Sequence, residues 1–242
     1  MLEFREVSKV FNGTTVVQPL DLAIEAGEKV VLLGPSGCGK TTVLRMVAGL
    51  VLPTTGQMTV DSLPLNSQTV GAVRRRLGYV IQEGGLFPHL TGLQNVTLMA
   101  RHDGWSRSRI DDRLAELVEM TQFPQNGLSR YPNELSGGQR QRISLMRALF
   151  LSPRILLLDE PLGALDPLIR AGLQRDLNQV FARAGATVLL VTHDLVEANR
   201  FADRVCVMNA GRIVQQGSFA EILERPGDEF VREFISSQVV SL

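Results

Sequence analysis

The string Gly34-Pro35-Ser36-Gly37-Cys38-Gly39-Lys40-Thr41 ends in a lysine and a hydroxyl, and Thr42 follows. Its glycines let successive backbone N–H groups turn toward one centre. Lys40 adds a positive charge there, and Thr41 adds a hard oxygen ligand. The combination suits a polyphosphate carrying Mg2+. Further on, Ile155-Leu156-Leu157-Leu158 runs straight into Asp159 and Glu160. Neighbouring strand residues point to opposite faces, so these carboxylates divide the work. Asp159 suits Mg2+ bound through water beside Thr41, and Glu160 suits polarisation of a water attacking a γ-phosphate. A third string, Leu135-Ser136-Gly137-Gly138-Gln139, precedes a helical run over Gln141 to Leu151. Ser136 is placed to cap that helix, and the glycines leave its N–H end open to an anion.

Recognisable elements position these groups. The first 30 residues alternate like strands, with turn signals at Asn12-Gly13 and Ala26-Gly27. Lys29 to Leu33 is a short β-branched run of the kind buried on both faces of a sheet. Thr41 to Leu50 has helical spacing, so strand, glycine loop and helix form one unit. Strand-like sequence recurs over Gly56 to Leu63, and again over Leu77 to Ile81, where it ends at Gln82. From about 84 to 152 the periodicity is helical, clearest in Arg109 to Met120. Strands return at Ile155 to Leu158 and Thr187 to Val191, with a helix over Pro167 to Ala184 between them. Arg204 to Met208 and Arg212 to Gln216 read as a hairpin across Asn209-Ala210-Gly211. The expected fold is an α/β core interrupted by a helical lobe.

Composition narrows the partners. The chain has 242 residues, 44% apolar, with 25 basic and 25 acidic side chains, which is globular and electrically balanced. Zero net charge and 5% aromatics argue against a nucleic-acid partner. Cys38 and Cys206 match no metal or disulfide spacing, and Cys38 reads as a loop filler. His89 and His102 fit no site, and Arg74-Arg75-Arg76 reads as a solvated helix end. The N-terminus resembles no signal peptide, and no window reaches the roughly 18 apolar residues of a spanning helix. Attachment to a membrane is expected only by docking.

The order and spacing of these strings resemble the ATP-binding cassette (ABC) ATPases over essentially the whole length. The resemblance implies a phosphate-loop (RecA-like) ATPase core with an N-terminal antiparallel β subdomain and an inserted α-helical subdomain. Within one cassette domain spanning 1–242, residues 1–83 and 153–224 would form the core. Residues 84–152 would form the helical subdomain carrying the signature string, and 225–242 a helical tail. It implies ATP and Mg2+ as cofactors and a sandwich homodimer. Ser136, Gly137, Gly138, Gln139 and Asp166 would reach across to the nucleotide held by the partner copy. Gln82 is assigned a hinge and Mg2+ role, and His193, after Val188-Leu189-Leu190-Val191, a γ-phosphate contact. Ala164-Leu165-Asp166 is similar to the loop lining the dimer seam. Phe11, 29 positions before Lys40, stands where the family places an adenine-stacking aromatic.

The same resemblance implies a transporter subunit at the cytoplasmic face of the inner or plasma membrane, working with permease subunits and a separate solute-binding protein. Leu86, Phe87 and Leu90 suit a groove for a permease helix. The stretch Gly85-Leu86-Phe87-Pro88-His89-Leu90-Thr91 and the tail Phe230-Val231-Arg232-Glu233-Phe234-Ile235 look most like importers of glycine betaine, choline and carnitine. Importers of amino acids, phosphonates or lipids remain alternatives. A soluble ABC ATPase acting on DNA or ribosomes is the competing class, without the duplicated cassette or long insertions that its members carry.

Overall fold

Asn12 and Gly13 adopt φ of 47° and 80°, the paired positive values of a two-residue hairpin turn. They join β1 (Leu2–Phe11) to β2 (Thr14–Ile24). In chain order there follow β3 (Lys29–Leu33), α1 (Lys40–Val47), β4 (Thr55–Val60), β5 (Leu63–Pro64), α2 (Val70–Arg74) and β6 (Leu77–Val80). Then come α3 (Gly92–His102), α4 (Arg107–Met120), α5 (Gly137–Leu149), β7 (Ile155–Asp159) and α6 (Pro167–Ala184). The chain continues through β8 (Thr187–Thr192), α7 (Leu195–Phe201), β9 (Arg204–Asn209), β10 (Arg212–Gly217), α8 (Phe219–Glu224) and α9 (Glu229–Val239). The computed structural model describes residues 1–82, 84–163 and 167–239. The chain divides into two compact units: Met1–Leu77 with Thr187–Leu242, and Gly78–Ala186.

The first unit contains an antiparallel sheet in the order β2-β1-β4-β5 and the strands β10-β9-β3-β8. β3 runs parallel to both neighbours, with Leu33 opposite Thr192 of β8 and Val207 of β9. Val30 to Leu33 are almost wholly buried, as an unbroken apolar run requires when both faces of a strand are covered. A backbone bond from Gln18 N–H to Gly211 O (3.0 Å) stitches β2 to the β9–β10 turn. α1 ends at Val47, earlier than the apolar spacing suggested, because Gly49 follows with φ 63° and turns the chain out of the helix.

The second unit places β6 beside β7 and is otherwise helical over α3 to α6. Thr91, Ser106 and Ser136 cap α3, α4 and α5 through their side chains. Arg142 ties the helices together. It donates to Thr121 O and Gln122 O after α4, and pairs with Asp176 of α6 at 2.8 Å. Trp105 packs tilted against Phe150 and carries the Arg109 guanidinium 3.5 Å above its ring.

The Arg74–Arg76 cluster lies at the end of α2 with Arg74 and Arg75 exposed, the solvated helix end expected of it, and two of its guanidinium groups also make specific bonds. Arg74 donates to Ala48 O and Gly49 O after α1, and Arg76 pairs with Asp61 at 2.6 Å. A helix C-terminus leaves carbonyls without intrahelical donors, and Arg74 supplies them. Among the described residues, no helix is long and apolar enough to cross a membrane.

Candidate functional site

In the first unit the phosphate loop leaves the end of β3 and enters α1, and its backbone is fixed on both sides. Gly34 cannot carry a side chain: a Cβ there would lie 2.3 Å from Met208 O on β9. Gly211 N–H binds Cys38 O at 3.0 Å. Cys38 is buried, and its Sγ lies 3.8 Å from the lysine ammonium. Lys40 is only 4% exposed, and its Nζ donates to Gly34 O (2.7 Å) and Pro35 O (2.9 Å). The ammonium is thus centred in a ring of main chain. Gly39 is the N-cap of α1 and provides no side-chain acceptor, so the helix terminus keeps its N–H groups for an anion. Ser36 and Gly37 are exposed, while Pro35, Thr41 and Thr42 are half-buried. A cation in a carbonyl ring beside an uncapped helix terminus fits a polyphosphate.

His193 follows β8 as Gly34 follows β3. Because Leu33 and Thr192 are register partners, parallel pairing brings both to the same edge of the sheet. His193 is exposed, and its carbonyl accepts from Gln238 Nε2 at 2.7 Å. Phe11 ends β1 with its ring 39% exposed, and the Lys9 ammonium lies 4.9 Å from the ring centroid. One π-face therefore already carries a cation.

In the second unit Asp159 closes β7 and is 3% exposed, with the Tyr79 hydroxyl 3.5 Å from its Oδ2. Glu160 is half-buried at φ 45°, a left-handed backbone that is uncommon for residues other than glycine. Glu160 lies beyond Asp159, the last residue of β7, so the alternation along a strand that the sequence suggested does not extend to it. Local strain of this kind concentrates at working residues. Gln82 is exposed two positions beyond β6, the strand beside β7. Gln82 and Asp159 in this unit, like Thr41 in the first, each carry an oxygen donor of the kind a hard ion such as Mg2+ takes.

Ser136 caps α5. Its Oγ accepts from Gln139 N–H (3.3 Å), and Gln139 Oε1 accepts from Ser136 N–H (3.0 Å). The cap uses a lone pair of the hydroxyl, and the O–H remains available as a donor. Arg140 holds the preceding loop by donating to Leu135 O at 2.6 Å. Gly137 and Gly138 lie inside the first turn of α5, so the helix begins four residues earlier than its apolar spacing suggested. Asp166, with Ala164 and Leu165, lies outside the described residues.

One further group carries no mark in any local string of residues. Ser144 Oγ, fully buried on α5, donates to Gly84 O at 2.7 Å. Arg147, one turn on, donates to Gly84 O (3.0 Å) and Gly85 O (2.9 Å). Burial holds the Arg147 guanidinium below its ordinary pKa. Gly84 and Gly85 have φ of 77° and 51°, and a Cβ on Gly85 would strike Ile81 Cδ1 at 2.0 Å. The helix that Ser136 opens therefore grips the turn just after Gln82. Phe87, 44% exposed, is fixed at both its N–H and C=O by Asn95.

A phosphate loop between a buried parallel strand and a helix, with a second strand ending in Asp-Glu, defines a phosphate-loop nucleotide-binding α/β protein. The family model described as "ABC transporter" matches residues 17–163. The chain belongs to that family. It is 43% identical over 239 residues to the glycine betaine/carnitine/choline transport ATP-binding protein OpuCA of Bacillus subtilis (strain 168), covering 98% of this chain and 63% of that protein. It thus spans less than two thirds of that relative's length. It is also 45% identical over 240 residues to the Fe(3+) ions import ATP-binding protein FbpC 2 of Rhodococcus jostii (strain RHA1), covering 99% of this chain and 68% of that protein. Among solved structures, a dimeric post-hydrolysis state of the ATP-binding cassette MJ0796 bound to ADP and Pi superposes with a TM-score of 0.82 at 30% identity, covering 90% of this chain and 99% of that one.

Proposed function

We propose that the chain is the ATP-binding and ATP-hydrolysing subunit of an importer for glycine betaine, choline or carnitine. It would act at the cytoplasmic membrane face with a separate permease and a solute-binding protein. The observation that carries the reading is a pair of anion-ready helix ends in one chain. One is the Lys40 loop entering α1, and the other is the Ser136 cap opening α5. Two such ends per chain suit a dimer of two copies, each copy offering its loop to one nucleotide and its Ser136 terminus to the other. The dimeric cassette bound to ADP and Pi supports that arrangement.

Lys40 and the loop N–H groups would neutralise the β- and γ-phosphates. Phe11 would stack on the adenine with the π-face that Lys9 does not cover. Glu160 would take a proton from water as its oxygen attacks the γ-phosphorus. The bond to the leaving ADP oxygen then breaks, giving ADP and phosphate. His193 would hold the γ-phosphate in line. Thr41, Gln82 and, through water, Asp159 are the residues that would hold Mg2+, which would supply charge neutralisation to the phosphates. Closure of the two copies would draw docked permease helices together, and hydrolysis would let the pair reopen.

The 45% identity to an Fe(3+) import subunit favours a second cargo reading with the same engine. Affinity capture of the tagged chain from gently solubilised native membranes tests both. The captured complex is reconstituted in vesicles with ATP on the subunit's side and assayed for uptake of betaine, choline, carnitine and Fe(3+). A multi-span permease and ATP-driven betaine or choline uptake are expected. Uptake of Fe(3+) alone would move the cargo to the second reading. Recovery of ribosomes or DNA-repair proteins, with no membrane partner, would overturn the transport role.

A further inference from the structure

α9 is absorbed by none of the roles above, yet one of its side chains reaches the candidate catalytic edge. Val231 and Ile235 are buried, and Gln238 continues their i, i+4, i+7 stripe. At the position where the stripe would next place an apolar residue, the helix carries an amide. That amide is used at both ends. Its Nε2 donates to His193 O at 2.7 Å, and its Oε1 accepts from Leu195 N–H at 3.2 Å.

The second bond fills a specific need. The first N–H groups of a helix have no intrahelical acceptor. Asp194, the N-cap of α7, accepts from Val196 N–H (2.6 Å) and Glu197 N–H (3.3 Å). Gln238 takes the remaining first-turn donor, Leu195. With Asp194 N–H bound to Thr192 Oγ1 at 3.1 Å, the backbone on both sides of His193 is held. The root of α9 is held as well, by Asp228 Oδ1 on Val231 N–H (2.8 Å) and by the stacked rings of Phe230 and Phe234.

We propose that Gln238 is a positioning residue for His193, and that the last turn of α9 is the tether that sets where the histidine presents itself. The inference rests on the proposed γ-phosphate role of His193. A lever follows from it: whatever lifts the end of α9 frees the His193 carbonyl and slows turnover without touching the phosphate loop.

The test compares Gln238→Ala and Gln238→Glu in the full chain, alone and combined with His193→Ala. The glutamate keeps an acceptor for Leu195 N–H but cannot donate to His193 O. Three readouts are taken: ATP turnover, nucleotide affinity by titration, and hydrogen exchange of the segment covering residues 193–197. Both variants are expected to lose three- to tenfold in turnover, with affinity unchanged within twofold. Neither should lower turnover further in the His193→Ala background. The alanine variant should also exchange the segment at least threefold faster. A Gln238→Glu variant with wild-type turnover would reduce the residue to a helix cap and overturn the proposal. So would losses that multiply with those of His193→Ala. If wild type and His193→Ala turn over ATP equally, the reading of His193 itself falls. Unchanged exchange in Gln238→Ala would by itself overturn the tether.

Discussion

The phosphate loop and the Gly84–Gly85 turn are held in place by different means. The loop, in the first unit, is fixed by main chain: Gly34 lies against Met208 O, Gly211 N–H binds Cys38 O, and the β3 strand is locked between β8 and β9. The turn, in the second unit, hangs from the side chains of one helix, Ser144 and Arg147. Main-chain scaffolding gives a cradle of fixed shape, which suits a group that must bind the same phosphates in every cycle. Side-chain suspension lets a turn move with the helix that carries it.

The largest effect expected of a single substitution lies in the second unit. Glu160→Gln removes the proposed proton acceptor and leaves the loop untouched. Turnover should drop by about 10²–10⁴-fold with nucleotide affinity retained, and the variant should accumulate as a closed dimer with ATP. Single-turnover hydrolysis and gel filtration read both, and unchanged turnover would remove Glu160 from the chemistry. Lys40→Ala is the converse. Losing charge-assisted bonds to phosphate should weaken nucleotide binding about 10- to 100-fold, while unfolding stability stays within about 1 kcal/mol because the loop is held by main chain. A large loss of stability in Lys40→Ala would break the comparison.

Arg147 tests the other half. Arg147→Ala leaves the Gly85 carbonyl without its donor, and should cost about 1–2 kcal/mol in denaturant unfolding. It should also slow turnover several-fold through the loosened Gln82 turn. Lysine keeps the charge, but its donors radiate from one nitrogen and cannot take the places of the two guanidinium nitrogens that reach Gly85 O and Gly84 O. Arg147→Lys should therefore recover less than half of the lost turnover. Full recovery would show that charge, not the fork, holds the turn.

This contrast also decides what could be read from sequence. The phosphate loop, the Asp159–Glu160 pair and the Ser136 string are contiguous, and each carries its chemistry in a local spacing. The strand β3, the hairpin at Asn12-Gly13 and helices α4 and α6 were legible for the same reason. Ser144, Arg147 and Gln238 were not. Each acts by one side chain on a carbonyl or N–H far along the chain, and nothing in a local string marks such a contact. The solvated helix end at Arg74–Arg76 was legible, but the bonds from Arg74 to the carbonyls after α1 and the pairing of Arg76 with Asp61 were not. The left-handed backbone at Glu160 was equally hidden, since a glutamate gives no hint of positive φ.

The smallest effect concerns a side-chain lock of the first unit. Arg204 pairs with Glu28 at 2.7 Å and also donates to Ala23 O. Burial pushes the Glu28 carboxyl up, but the Arg204 hydrogen bond, a backbone bond at Glu25 and the Arg204 charge outweigh it and hold the group below its ordinary 4.5. A carboxyl depressed on folding contributes stability that is present above the unfolded value and is lost as pH falls through the folded one. The contribution should therefore be intact at pH 7 and fade below about pH 4.5. A partly exposed pair is worth less than about 1 kcal/mol, so Arg204→Met should narrow the stability gap between pH 7 and pH 3 by no more than that. Glu28 precedes β3, and the phosphate loop leaves the strand's other end, roughly 16 Å away at about 3.3 Å per residue. Nucleotide affinity should consequently be the same in Arg204→Met as in wild type. If affinity fell with the lock, the cradle would depend on side chains after all, and the distinction between the two regions would fail in the first unit.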